Sequence, residues 1–143
     1  MSAVRFALLF VVLLTASARA QESLYMPPAS EIPPVEGPIL PVRVLTDGAA
    51  HVDGVVADSA RVVAAVRQHI RAHPDGAVSF SMASGALYAR YIHVLDAIRT
   101  ACRIERDLVA VRDFGAPFAE PSDAARAAVR KQVPIRIIME RPE

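Results

Sequence analysis

The side chains able to do chemistry are few and scattered. His69 and His73 stand four apart, a spacing that puts two imidazoles on one helix face, where they could share a metal. No H-E-x-x-H pattern or cysteine cluster accompanies them, and His73 abuts Pro74, so both read as solvated or packing residues. His93 and Asp96 could pair, but no nucleophile stands in a recognisable setting around them. Ser79, Ser81 and Ser84 lack a G-x-S-x-G elbow. Asp47 and Asp53 each precede a glycine, where aspartate serves turns through local hydrogen bonds. Cys102 is the single cysteine; it cannot form an internal disulfide, and its place on an apolar seam marks an inert thiol. No glycine-rich phosphate loop is present. The expectation is a chain with no catalytic residues, no metal, no cofactor and no small-molecule substrate.

The elements that would position any site follow from periodicity. Pro41–Leu45 alternates as a strand, Asp47-Gly48 turns, and Ala49–Val52 returns. Asp53-Gly54 makes a second turn. Asp58-Ser59 supplies an N-cap, and Val62, Val63, Val66 and Ile70 follow a helical period until Pro74-Asp75-Gly76 stops it. Ala77–Met82 reads as a strand with Val78, Phe80 and Met82 on one face. Ser84 is placed to cap a second helix whose seam is Tyr88, Tyr91, Leu95, Ile98 and Cys102. Leu108–Val111 is an unbroken apolar run and reads as a central strand. Ser122-Asp123 opens a short helix reaching about Lys131, and Pro134–Met139 ends the pattern as an edge strand.

These elements predict an α/β chain, more closely an α+β two-layer sandwich. Its β-hairpin comes first, and two main helices cover one face of a mixed sheet of about five strands. The core is expected at Val66, Ile70, Phe80, Tyr91, Leu95 and Ile98. Ile135, Ile137 and Ile138 would lie at a sheet edge, where an open apolar strand pairs with a second chain and favours a homodimer.

The N-terminus carries a different signal. One arginine precedes the apolar run Phe6–Leu14, and Ala18-Arg19-Ala20 ahead of Gln21 is a small-x-small cleavage site. Residues 1–20 therefore read as a secretory signal peptide, because a membrane span needs about 20 apolar residues. Residues 21–39 hold closely spaced prolines and glutamates and read as an extended linker, with the folded domain over 40–143. Cleavage removes two of the 16 basic residues and none of the 15 acids, leaving a formal charge of −1. That balance excludes nucleic acid as a partner. The location implied is the periplasm.

The order of motifs from Leu40 to Val111 resembles the periplasmic domain of the ExbD/TolR family of biopolymer-transport proteins. The hairpin VRVLTDGAAHVDG (Val42–Gly54) is similar to the family's strand, D-G turn and return strand. AVSFSMAS (Ala77–Ser84) resembles its strand ending in A-D. YARYIHVLDAIRTAC (Tyr88–Cys102) resembles Y-G-x-V-V-x-V-L-D-A-x-R-x-A-G, with Tyr88, Val94, Leu95, Asp96, Ala97, Arg99 and Ala101 in place. Ser84 stands for the usual Asp, Ala89 for Gly, and Cys102 for the Gly that closes the second helix.

The resemblance implies a protein–protein interaction domain, accessory to envelope energy transduction or biopolymer transport. It implies dimers, and contact with envelope motor or transport proteins or with peptidoglycan. Family members carry a membrane helix with a proton-handling aspartate, whereas Phe6–Leu14 has no ionisable residue, so this chain is not expected to move protons itself. The alternative is an inner-membrane-anchored subunit of such a complex, with Val4–Ala18 retained.

Overall fold

A computed structural model describes residues 35–140. The readings of a signal peptide over residues 1–20, with its cleavage residues Ala18, Ala20 and Gln21, and of residues 21–34 of the 21–39 linker lie outside the described residues. Among those described, the order is β1 (Ile39–Val44), β2 (Ala50–Val52), β3 (Val55–Ala57), α1 (Ser59–Ala72), β4 (Ala77–Met82), α2 (Tyr88–Phe114), α3 (Asp123–Gln132) and β5 (Ile137–Met139). The strands form one mixed sheet in the order β3-β2-β1-β4-β5. β1–β2 and β2–β3 are antiparallel; β1–β4 and β4–β5 are parallel. This is an α+β fold.

Turn chemistry sets the first three strands. The Asp47 carboxylate accepts from Ala49 N at 2.9 Å, and Gly48 has φ 81°. At Asp53-Gly54 both residues take positive φ, 51° and 78°, as the two central positions of a two-residue hairpin turn require. That turn leads straight into β3, a strand the sequence pattern does not announce because it has only three residues, two of them exposed. Pro41 sits in the middle strand of the sheet, where proline is rarely tolerated. Its carbonyl accepts from Asp53 N at 2.9 Å, so its missing donor faces the turn just past the last residue of β2.

The helices differ more from expectation. α1 begins as its cap predicts, with the Asp58 carboxylate accepting from Arg61 N at 2.8 Å. α2 is not capped by Ser84; its N-cap is Leu87, with no side-chain hydrogen bond. The expected central strand at Leu108–Val111 is also corrected: these residues lie in the last two turns of α2, which runs 27 residues. No glycine or proline interrupts the chain between Tyr88 and Phe114. With Cys102 in place of a helix-ending glycine, the helix continues until Gly115 caps it in the left-handed region, φ 75°. Of the four apolar residues only Ala110 is buried, and Leu108 and Val111 are half exposed.

By alternation, Val42 and Val44 of β1 and Val78 and Phe80 of β4 share one sheet face and meet Val62, Val66, Leu95 and Ile98 from the helices. Val66, Phe80 and Ile98 are fully buried and Leu95 is buried, while Ile70 and Tyr91 are half-buried and pack against this cluster. The Tyr91 ring stacks on Phe80 with centroids 4.7 Å apart. Tyr88, placed on the same seam by spacing, is instead exposed and stacks on Tyr91 from outside.

Truncating this core should be costly. Leu95→Ala should lose roughly 2–5 kcal/mol. Exposed Asp96→Ala should stay within about 0.5 kcal/mol of wild type. Urea midpoints measure both, and equal small effects would place the packed face of α2 elsewhere.

Candidate functional site

Two features stand out at the lower end of the helix pair and along one sheet edge. The first is built around Glu105, which is 6% exposed. It continues the α2 seam, three residues beyond Cys102, so its carboxylate is carried into the contact with α1. There Arg67 and Arg71, one turn apart on α1, each donate Nε to one of its oxygens, at 2.7 and 2.8 Å. Burial pushes the Glu105 carboxyl up, but the hydrogen bonds and charges of Arg71 and Arg67 outweigh it and hold the group below its ordinary value. Cys102, one turn back, is buried, and burial pushes its thiol up to about 11. It is therefore a poor nucleophile.

Beyond Glu105 a groove of about 370 Å³ opens between the end of α1, the last turns of α2 and residues 133–136. His69 and His73 lie on its wall with ring centroids 5.1 Å apart. His69 Nε2 is enclosed and has no hydrogen-bond partner. The ring is close-packed against Gly76, where a Cβ would come within 2.9 Å of that nitrogen and 2.7 Å of the Pro38 carbonyl. No group of three His, Cys, Asp or Glu side chains that could hold a metal occurs among the described residues. α3 closes the far side of the groove. Arg112 and Gln132 both bond Asp113, tying the end of α2 to the end of α3 and holding the Asp113 carboxyl down at about 2.

One pairing escaped the sequence reading. Ser59 Oγ lies 2.8 Å from His93 Nε2 across the α1–α2 contact. The relevant signal was Ser59's place in the first turn of one helix, with His93 in the second turn of the next. The pair lacks what activates a serine: His93 is exposed, and its ring donates no hydrogen bond to Asp96 or to another carboxylate among the described residues.

The second feature is the β5 edge. Of the three isoleucines placed there by pattern, Ile135 precedes the strand, and Ile135 and Ile137 pack inward against the core. Ile138 points to the opposite face and is half-buried. β5 is shorter than the expected Pro134–Met139 and pairs with β4 through Val78↔Ile137 and Phe80↔Met139. On its other side it pairs with no strand among the described residues. Val78 N donates to Arg136 O and Glu140 N to Phe80 O, so by alternation the N–H groups of Ile137 and Met139 face outward. Met139 is half exposed.

A mixed sheet with a hairpin first and paired helices on one face is the class of domain that the sequence motifs anticipate. A family profile described as Biopolymer transport protein ExbD/TolR matches residues 1–112, and the chain belongs to the ExbD/TolR family. Members are accessory proteins of biopolymer transport rather than enzymes, and work with envelope motor proteins in complexes where this domain is periplasmic. No curated protein matches the chain. The matched span stops within the last turn of α2, so α3 and β5 lie beyond it. No helix among the described residues is long and apolar enough to cross a membrane.

The Glu105 clamp has a pH signature. Its carboxyl is lowered in the folded state, so its stabilisation is fully present above the unfolded value of about 4.3 and is lost as pH falls through the folded value. Glu105→Gln should lower stability at pH 7 by about 1–3 kcal/mol. It should also flatten the acid limb of the stability–pH curve. An unchanged acid limb would show that the clamp contributes nothing to folding.

Proposed function

We propose that the chain is a soluble, secreted ExbD/TolR-type periplasmic domain that serves envelope energy transduction or biopolymer transport through protein–protein association. The observation that carries this reading is the outer edge of β5, which offers two outward N–H groups and an exposed methionine on a sheet with no further strand there among the described residues. An edge of this kind is a template for pairing with another strand. A second copy is the simplest occupant, since two β5 edges meet about a two-fold axis. Motor proteins or peptidoglycan would then be engaged by the dimer. Family membership supports the transport role, and the small-x-small site before Gln21 supports release.

A second reading has its own support. The family match begins at residue 1 and so takes in the N-terminal apolar run. Retention of Val4–Ala18 would make the chain a membrane-anchored subunit. Intact-mass measurement separates the two: a mature chain beginning at Gln21 in the osmotic-shock fraction supports release, and a full-length chain resisting alkaline extraction supports the anchor.

The edge is tested by Met139→Pro, which removes an outward donor while leaving the bonds to β4 in place. Sedimentation should show the wild type as a dimer at high micromolar concentration and Met139→Pro as a folded monomer by circular dichroism. A wild type that stays monomeric, or a variant that dimerises equally well, would sink the edge-pairing hypothesis.

A further inference from the structure

The groove beside Glu105 is independent of the β5 edge and has a chemistry of its own. Its volume of about 370 Å³ lies at the lower end of the range for small-molecule sites, roughly 300–1,000 Å³. Its lining is mainly apolar, with Ile70, Leu108, Val109, Val133 and Ile135 among the contributors. Charge enters from arginine. Arg71, Arg112 and Arg136 line the groove against one carboxylate, Glu105. Glu105 is shared by Arg71 and Arg67, which leaves that cluster one positive charge in excess. Arg112 is matched by Asp113. Arg136 donates Nη1 to the neutral Asp75 carbonyl at 3.2 Å and makes no ion pair among the described residues. An apolar trough with uncompensated guanidinium at its walls is complementary to a molecule with an apolar body and one anionic end. A bare anion would leave the trough unfilled, and a neutral or cationic chain would leave the guanidinium groups unanswered.

We propose that this groove is a binding site for a small amphiphilic monocarboxylate, its hydrocarbon body along Leu108, Val109 and Ile135 and its carboxylate toward Arg71 and Arg136. One wall, formed by residues 132–136, lies beyond the family match, while Arg71, Glu105, Leu108 and Val109 lie within it. It does not depend on dimerisation, because its lining comes from α1, residues 74–78, α2 and residues 132–136 of a single chain.

The test uses the full chain and three probes of equal length, octanoate, octanol and octylamine, below their aggregation concentrations. Amide resonances are followed by NMR. Octanoate should give saturable shifts confined to residues 69–78, 102–112 and 133–136, and octylamine should bind at least about tenfold more weakly, a difference of ~1.4 kcal/mol. Arg136→Gln should weaken octanoate several-fold and leave octanol unchanged. Leu108→Glu, at a half-exposed position, should abolish octanoate binding, and Leu108→Gln should preserve part of it. If Leu108→Glu fails to fold, the probe series and Arg136→Gln still decide. Absence of saturation, equal affinity for all three probes, or shifts spread over the sheet would overturn the proposal.

Discussion

One buried carboxylate governs how the two long helices lie on the sheet. Glu105 could not be taken out of water alone, because an unpaired buried charge costs several kcal/mol. It is buried because two guanidinium groups from α1 take one oxygen each. That requirement fixes the rotation of α1 and its axial position relative to α2. With those set, Val62 and Val66 face Ile98 and Ala101 over the sheet, and the groove opens beyond the clamp rather than closing. A hydrophobic seam alone would permit several registers of one helix on the other; the fork of hydrogen bonds distinguishes them.

The local chemistry of the strands was legible in the residues. Asp47-Gly48 and Asp53-Gly54 both turn the chain, Asp58 caps α1, and Val42, Val44, Val78 and Phe80 take the inward positions their alternation implies. The expectation of about five strands agrees with the number observed, but its membership differs. Leu108–Val111 is helical, and β3 takes its place in the sheet. A short apolar run has no period of its own, so length and flanking residues must decide. The evidence lay upstream: the spacing from Tyr88 to Cys102 extends without a break through Glu105 and Val109. Following that seam gives both the full helix and the buried carboxylate, since a charged residue on an apolar stripe must have a partner. The partners themselves, and the approach of Ser59 to His93, depend on how two helices cross, which no local pattern encodes.

The C-terminal segment is held to this frame by polar contacts at its ends. Asp107 accepts from Phe118 N at 2.9 Å, fixing the loop after α2. The guanidinium groups of Arg106 and Arg130 both lie over the Phe118 ring, 5.4 and 5.6 Å from its centroid. Ser122 caps α3 through Ala125 N, and Val129 is fully buried beneath it. These contacts carry the chain back across the helices so that residues 133–136 arrive beside β4. The groove wall and the last strand are thus two products of one connection.

The parallel pairing of β5 with β4 has a consequence for the order of assembly. Val78–Phe80 must wait for Ile137–Met139, the last of the described strands in chain order. The intervening chain folds mostly through local helical contacts, whereas this pairing closes a long loop and is entropically expensive. Until then β4 can pair only with β1, through Ile39↔Ala77 to Val44↔Met82, and its other edge has no partner strand among the described residues. The fifth strand can join only once synthesis has passed Met139.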